Sequence, residues 1–595
     1  MHQRNVVWPH YVGASVLLAV VIVSVVAQLQ RVWFIDFGTP AARIYATQLR
    51  EPEQVTIGQH ATTVQWSYAT SHIPLPVAHQ PQIITIRTIM RAESPPQRIT
   101  LTDETHAVAI LPTPGVRNHH LYIAQGSHIA IRCDMQGISD TELATICVAV
   151  DWMRGQPAAG GRTVAPLLWM LALIVAVCVL AWVVATRNHP WRAWVVIGVV
   201  TTVLLRFAAQ SIMYAPQLTL VVAGVAVGWW VLARQSRPIW QRIAGQAMLA
   251  NVAIKGLGAL VPGYFGTDLF FHVNRFVGVF SGQFYQIADG QGQTYPYPPG
   301  VYQLLAPLVL PLMAVFPAHY VMILTAIIVD SSTILIVAWM CQRLAWSHRS
   351  IALMACLYVV LPAGFLMQWQ ATVAQNIGQW LGMMAIATSL WRITMLSVVA
   401  MAWTVVGHFG AFLTLHLAHT IAVAFRELRQ MAWWWWGVVV VMGGLFYSQY
   451  VRLIYVQLYT HYIDDPATQM EWQTRWWDLV WKYGVYGHYL GIAVALAIVG
   501  LILAPRDRWW QMAVAMMTST GLLLVAQVFG GFNATRYMIF IFPVVASFAG
   551  LALGRISRGR AGHVMVLALL AFIALQSSMA WFNGTLFGVR VGFLW

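Results

Sequence analysis

Apolar windows recur along almost the whole chain, near 11–29, 164–184, 193–209, 216–233, 243–262, 319–340, 350–366, 376–391, 394–408, 409–425, 433–450, 485–503, 510–529, 537–554 and 562–582. A helix of about 20 residues crosses the hydrocarbon of a bilayer, and only a helix or a closed barrel pairs every backbone amide there. About fifteen windows of that kind predict a polytopic α-helical membrane protein. The composition agrees, with 59% hydrophobic and 9% charged residues, against about 25% charged in a soluble domain. The net charge of +15 would suggest nucleic acid in a soluble chain. Here the basic residues fall in short loops between windows, there is no P-loop and no dinucleotide fingerprint, and nucleic-acid binding is set aside.

Those loops also predict an orientation. With the N-terminus inside, the inner loops hold sixteen Arg against Glu427 and Asp507, which satisfies the positive-inside rule. The assignment requires the Pro-containing stretch 301–315 to lie at the membrane surface, since a further crossing there would turn the basic loop Cys341–Ser350 outward. Val25-Val26-Ala27 resembles a cleavage site, but the preceding apolar run exceeds that of a signal peptide, so 1–36 is expected to be a retained anchor. The chain is therefore expected in the plasma membrane as part of the cell envelope, N-terminus cytoplasmic. The Trp433–Trp436 run at the inner end of its window is expected to be an aromatic belt.

Residues 37–162 break the pattern. Runs such as Gln82–Met90, His128–Cys133 and Ala144–Trp152 alternate with period two and are separated by turn-forming clusters, which predicts an inserted extracytoplasmic all-β sandwich. Its cysteines, Cys133 and Cys147, would lie in an oxidising compartment, where they could be bridged or remain buried thiols. Residues 163–242 add further transmembrane helices, and 243–595 form the remaining membrane region with outer loops 263–318 and 451–484.

Chemistry concentrates in Gly266–Leu308, a polar, aromatic and Pro/Gly-rich interruption between spans. Asp268, His272 and Arg275 are spaced i, i+4 and i+7, so a helix puts an acid, an imidazole and a fixed cation on one face. Tyr295-Pro-Tyr297-Pro-Pro-Gly300 forces an extended segment, and Pro299 is placed to open the next helix. Asp268 has a second reading as the cap of the helix that follows it. Outer turns carry Gln370, Asn376, His408 and Arg536, and Arg536 at a helix end could hold a phosphate or simply anchor the interface. Within the spans, Arg206, Lys255 and Asp330 are intramembrane charges, and a Lys255–Asp330 pair is expected, more as packing than as mechanism. No spacing suggests a metal site; Asp464-Asp465 offers at most a loop position for a divalent cation.

Asp268 in an outer loop, the YPYPPG at 295–300 before an interfacial helix, Asp330 in the next span and the outer-end Arg536-Tyr537 together resemble the GT-C superfamily of integral membrane glycosyltransferases. Within it, the pattern is similar to the polyprenyl-phosphate-sugar-dependent, mannosyltransferase-like enzymes, over residues 243–560. The resemblance implies a GT-C-like catalytic domain, a polyprenyl-phosphate-linked sugar as donor, and inverting transfer to a hydroxyl acceptor at the outer face. It makes Asp268 the general base and Arg536, with Arg275, the stabiliser of the departing phosphate. His272, Tyr295, Tyr297, Gln370, Asn376 and His408 become candidates for binding sugar or acceptor. The acceptor, whether glycan, lipid or protein, is left open by the appended β region, which the minimal family core lacks. A glycan polymerase or ligase with a diphosphate-linked donor, or a lipid or sugar transporter, remains an alternative; transport would favour inverted repeats, and none is apparent.

Overall fold

In the computed structural model the described residues are ten strands between 33 and 157 and, with short breaks, 165–184, 208–260, 268–313, 318–455, 492–530 and 539–587. The chain forms two compact units, one of residues 1–231 with 260–264 and 582–590, the other of 232–259 with 265–581 and 591–595.

The first unit contains the strands β1 (Trp33–Asp36), β2 (Glu53–Ile57), β3 (His60–Tyr68), β4 (Thr70–Pro74), β5 (Gln82–Met90), β6 (Arg98–Thr102), β7 (Ala107–Ile110), β8 (Gly115–Ile123), β9 (His128–Asp134) and β10 (Ile146–Pro157). They pair antiparallel in a six-stranded sheet, β2-β3-β10-β5-β8 with β1 also on β10, and a four-stranded sheet, β4-β9-β6-β7. The alternation seen in the sequence is the reason: along β5, Ile84 and Ile86 are fully buried while Ile83, Thr85 and Arg87 are half-buried. Asp151 of β10 is a buried carboxylate, held by Thr62 Oγ1 at 3.1 Å and Arg87 Nε at 3.2 Å. Cys133 is disulfide-bonded, whereas Cys341 and Cys356 are free thiols. The side chain of Cys147 lies outside the described set. Helix α1 (Ala165–Val184) and most of α2 (Ala208–Arg234) belong to the same unit.

The second unit is helical: α3 (Ile239–Ala259), α4 (Leu269–Phe280), a hairpin of β11 (Gln286–Gly290) and β12 (Gln293–Tyr297), α5 (Gly300–Met313), α6 (Ala318–Arg343), α7 (His348–Val360), α8 (Pro362–Trp369), α9 (Val373–Leu390), α10 (Thr394–Val405) and α11 (Phe409–Ala422). The run Arg429–Leu453, α12, passes through a π-turn at Val439–Gly443. It is followed by α13 (Ile492–Leu503), α14 (Arg508–Gly530), α15 (Phe542–Ile556) and α16 (Arg560–Phe587). Helices thus fall on the apolar windows wherever those windows are described. Among the described residues, five stretches are long and apolar enough to cross a membrane alone: Ala318–Arg343, Arg429–Leu453, Arg508–Ala526, Ile539–Ile556 and Arg560–Ser578. The first window, 11–29, and most of 193–209 lie outside the described residues.

Helix α15 is the axis of this unit. It is buried on nearly every side, and Gly550 lets the backbone of α7 approach so closely that a Cβ there would stand 2.5 Å from Met354 N. Small residues at such crossings replace the hydrophobic drive that lipid cannot supply. The Trp433–Trp436 run corrects the belt expectation. Trp433 and Trp434 are exposed, but Trp435 is fully buried and stacked on His419 at 4.5 Å, and Trp436 meets His416 edge-on at 4.4 Å. Four consecutive residues span more than one helical turn, so the run cannot all face lipid.

Candidate functional site

Asp268 immediately precedes α4, and its side chain makes no capping bond to the helix. Its backbone carbonyl accepts from His272 N at 3.0 Å, so the chain enters the helix without using the carboxylate. The capping reading of Asp268 is thereby removed. Helical spacing then sets His272 and Arg275 one and two turns on. His272 is buried and Arg275 half-buried, its guanidinium 4.9 Å from the Phe271 ring centre and 5.9 Å from that of Tyr297.

A pair of phenols faces the imidazole. His272 Nδ1 is 2.7 Å from Tyr302 Oη and 3.5 Å from Tyr297 Oη, and the two tyrosine rings stack at 6.3 Å. Burial, with a smaller push from neighbouring His408, lowers His272 to about 3, so the ring is neutral at physiological pH. Burial holds the Tyr302 hydroxyl well above its ordinary value; Tyr297 and the negative charge of Asp268 add to that, and Arg275 opposes it. Both groups are therefore neutral, and a Tyr302 O–H donating to Nδ1 puts the ring hydrogen on Nε2. Arg275 reaches this cluster at the Tyr297 ring, and Asp268 opens the helix that carries both His272 and Arg275.

The YPYPPG segment forms the next wall. Tyr295 and Tyr297 lie on β12, paired in register with Ala288 and Gln286, and Pro299 O accepts from Tyr302 N and Gln303 N as α5 begins. Gly300 N donates to Val406 O at 2.9 Å, and a Cβ at Gly300 would come within 2.5 Å of that same oxygen. Only glycine permits this approach, which docks the proline turn onto the α10–α11 turn carrying His408. There His408 Nδ1 accepts from Ala411 N at 3.2 Å and caps α11. Helix α9 lies against the same residue, since a Cβ on Gly378 would stand 2.9 Å from His408 Cβ. Two residues earlier, Asn376 is buried with neither its side-chain nitrogen nor its oxygen hydrogen-bonded within the described structure. Leaving a buried amide unpaired costs about 1–3 kcal/mol per group, and both polar atoms of Asn376 can hydrogen-bond to a water or a ligand.

The structure therefore brings together Asp268, His272, Arg275, Tyr297 and His408, with Asn376 on the helix beside His408. Gln370, Arg536, Asp464 and Asp465 lie outside the described residues, as does the side chain of Tyr295. Tyr302 was missed by sequence reasoning, although an aromatic hydroxyl in the first turn of a Pro-Gly-initiated helix is a signal that could have found it. Among the described residues there is no group of three or more His, Cys, Asp or Glu side chains able to hold a metal ion.

A second polar cluster lies deeper. Lys255 Nζ of α3 donates to Asp330 Oδ2 of α6 at 2.7 Å, with both side chains buried. Asn251 Nδ2 donates to Asp330 Oδ2 at 3.3 Å and to Ser331 Oγ at 2.9 Å. Tyr358 Oη of α7 donates to Asp330 Oδ1 at 2.9 Å and accepts from Gln379 Nε2 of α9 at 3.4 Å. The expected Lys255–Asp330 pair is present, with four helices tied to it.

No family model matches the chain, and no curated protein matches it. Its functional class rests on the chemistry of these residues and on the membrane-spanning character of its helices.

Proposed function

We propose that this protein is a membrane glycosyltransferase that moves a sugar from a polyprenyl-phosphate-linked donor to a hydroxyl acceptor at the outer membrane face. The observation that carries the reading is the cluster itself: Asp268 opens the helix on which buried His272 meets Tyr302 and Tyr297, and Arg275 of the same helix lies against the Tyr297 ring. In the proposed reaction the acceptor oxygen attacks the anomeric carbon and its proton passes to Asp268 as general base. The bond from that carbon to the phosphate oxygen breaks on the opposite face, so configuration inverts and polyprenyl phosphate leaves. Arg275, with Arg536, offsets the charge that builds on the departing phosphate. Neutral His272, Tyr297 and Asn376 offer hydrogen bonds to sugar or acceptor hydroxyls, and Tyr302 fixes the His272 tautomer.

Sugar release from radiolabelled polyprenyl-phosphate mannose and glucose by purified protein in lipid, with Asp268→Asn alongside and membrane extract as acceptor, tests donor and base together. We expect label in a product with the wild type and a loss of at least 10²-fold in the variant, the lower range for a general base. Equal consumption by both proteins removes Asp268 from the chemistry, and consumption of diphosphate-linked donors alone would favour a polymerase or ligase. The buried Lys255–Asp330 pair favours a second reading, an ion-coupled transporter. Substrate uptake into proteoliposomes without product formation would select it.

A further inference from the structure

Helices α9, α10, α12 and α14 enclose a cavity of about 140 Å³ whose lining includes Arg392, Glu427, Gln430, Trp434 and Arg508. Beside it is an open recess that shares Gln430 and Trp434 and adds Arg426, Arg429 and Trp433. These residues belong to the loops that the positive-inside pattern assigns to the cytoplasmic face. The exposed indoles of Trp433 and Trp434 flank the basic groups, a combination suited to the level where acyl chains meet headgroups. Glu427 is the carboxylate in the lining, and Arg508 Nε lies 3.6 Å from it, while Arg508 Nη1 donates to Leu390 O at 3.3 Å. The two linings hold Arg392, Arg426, Arg429 and Arg508 against Glu427, with Asp507 close enough to act on Glu427, so arginines outnumber acids around the cavities.

Arg392 enters the lining from a helix end. It follows the end of α9 with φ +59°, the left-handed conformation that helix ends ordinarily assign to glycine. Its amide donates to Ser389 O at 3.1 Å, closing the turn. A glycine would close that turn with less strain but would bring no cation to the cavity. Ala345 adopts the same conformation after α6, at φ +55°; at Arg392 the turn carries a guanidinium to the cavity lining.

We infer that this cavity binds the phosphodiester headgroup of an anionic phospholipid from the inner leaflet, with Arg392 and Arg508 on the phosphate and Trp433 and Trp434 along the upper acyl chains. Basic pockets between membrane helices on the cytoplasmic side are suited to such headgroups. The site is separate from the Asp268 cluster and does not depend on the proposed transferase activity.

The test is native mass spectrometry and thermal unfolding of the purified full chain in neutral detergent, titrated with phosphatidylglycerol, phosphatidylcholine or inorganic phosphate. Phosphatidylglycerol should be retained and raise the unfolding temperature, with phosphatidylcholine and phosphate giving neither effect. Arg392→Gly should weaken phosphatidylglycerol binding about fivefold, the effect of one cation near an anionic surface, while unfolding in detergent alone at the wild-type temperature or higher. Arg426→Gln, at an exposed position, should weaken binding similarly without touching the fold. Equal retention of the two lipids, or variants that bind like the wild type, overturns the site. Stabilisation by phosphate equal to that by phosphatidylglycerol overturns the lipid assignment and leaves a soluble anion.

Discussion

His272 concentrates the site's electrostatics in one side chain. Its folded-state value of about 3 lies below the ordinary 6.5, so the unfolded chain takes up a proton that the folded chain refuses. The stabilisation is complete above pH 6.5 and is lost as pH falls from there toward 3. Between pH 7.5 and 5 the loss is about 2 kcal/mol at 1.36 kcal/mol per unit. His72 and His119 of the strands, also lowered by burial, act in the same direction, so the comparison needs a variant. Thermal unfolding of His272→Asn should show a shallower decline with acid than the wild type over that range. Equal slopes would mean that the imidazole is protonated in the fold and that the neutral donor role is wrong. The i, i+4, i+7 spacing made the shared face of Asp268, His272 and Arg275 legible in the sequence. The depth of His272 was not legible, because Tyr302 arrives from another helix thirty residues away.

Elements were legible in proportion to how local their causes are. Helix windows follow from runs of apolar residues and strands β5, β9 and β10 from strict alternation, so both could be read from short stretches. The β11–β12 hairpin has little apolar alternation, and only the Gly-Gln-Gly at 290–292 marked its turn. The belt expectation failed because Trp435 finds His419 on α11, a partner no local pattern names. Docking of the proline turn is likewise non-local, joining Gly300 to Val406. Gly300→Val should therefore destabilise by about 1–3 kcal/mol, the usual cost of overpacking. Because the turn carries Tyr297 and Tyr302, the variant should also lose donor turnover out of proportion to its lost stability, read by comparing turnover at temperatures where both proteins remain folded. Unchanged stability would show that the α10–α11 turn yields and that the contact does not position the site.

At the scale of the whole molecule, charge scarcity and the Arg pattern revealed a membrane protein, while the pairing of individual helices waited on the structure. Lys255 and Asp330 are the exception, since an unpaired charge in a span must find its opposite, and only one acid lay at comparable depth. The pair joins α3 to α6 and, through Tyr358 and Gln379, to α7 and α9, so it fixes how four helices register against one another. Removing one partner leaves a buried charge with nothing to offset it, which costs about 3–5 kcal/mol. Lys255→Met and Asp330→Asn should each lower the unfolding temperature sharply, and the double variant should lose less than the sum, because neither charge is then stranded. Transfer activity discriminates further. If the pair only registers helices, the double variant, assayed where it is folded, retains donor turnover near that of the wild type, and the Asp268 cluster alone carries the chemistry. If turnover collapses in a folded double variant, the polar chain from Lys255 to Gln379 reaches the site through α9, whose Gln375 and Asn376 are buried with unpaired oxygens. The pair would then belong to the mechanism as well as to the fold.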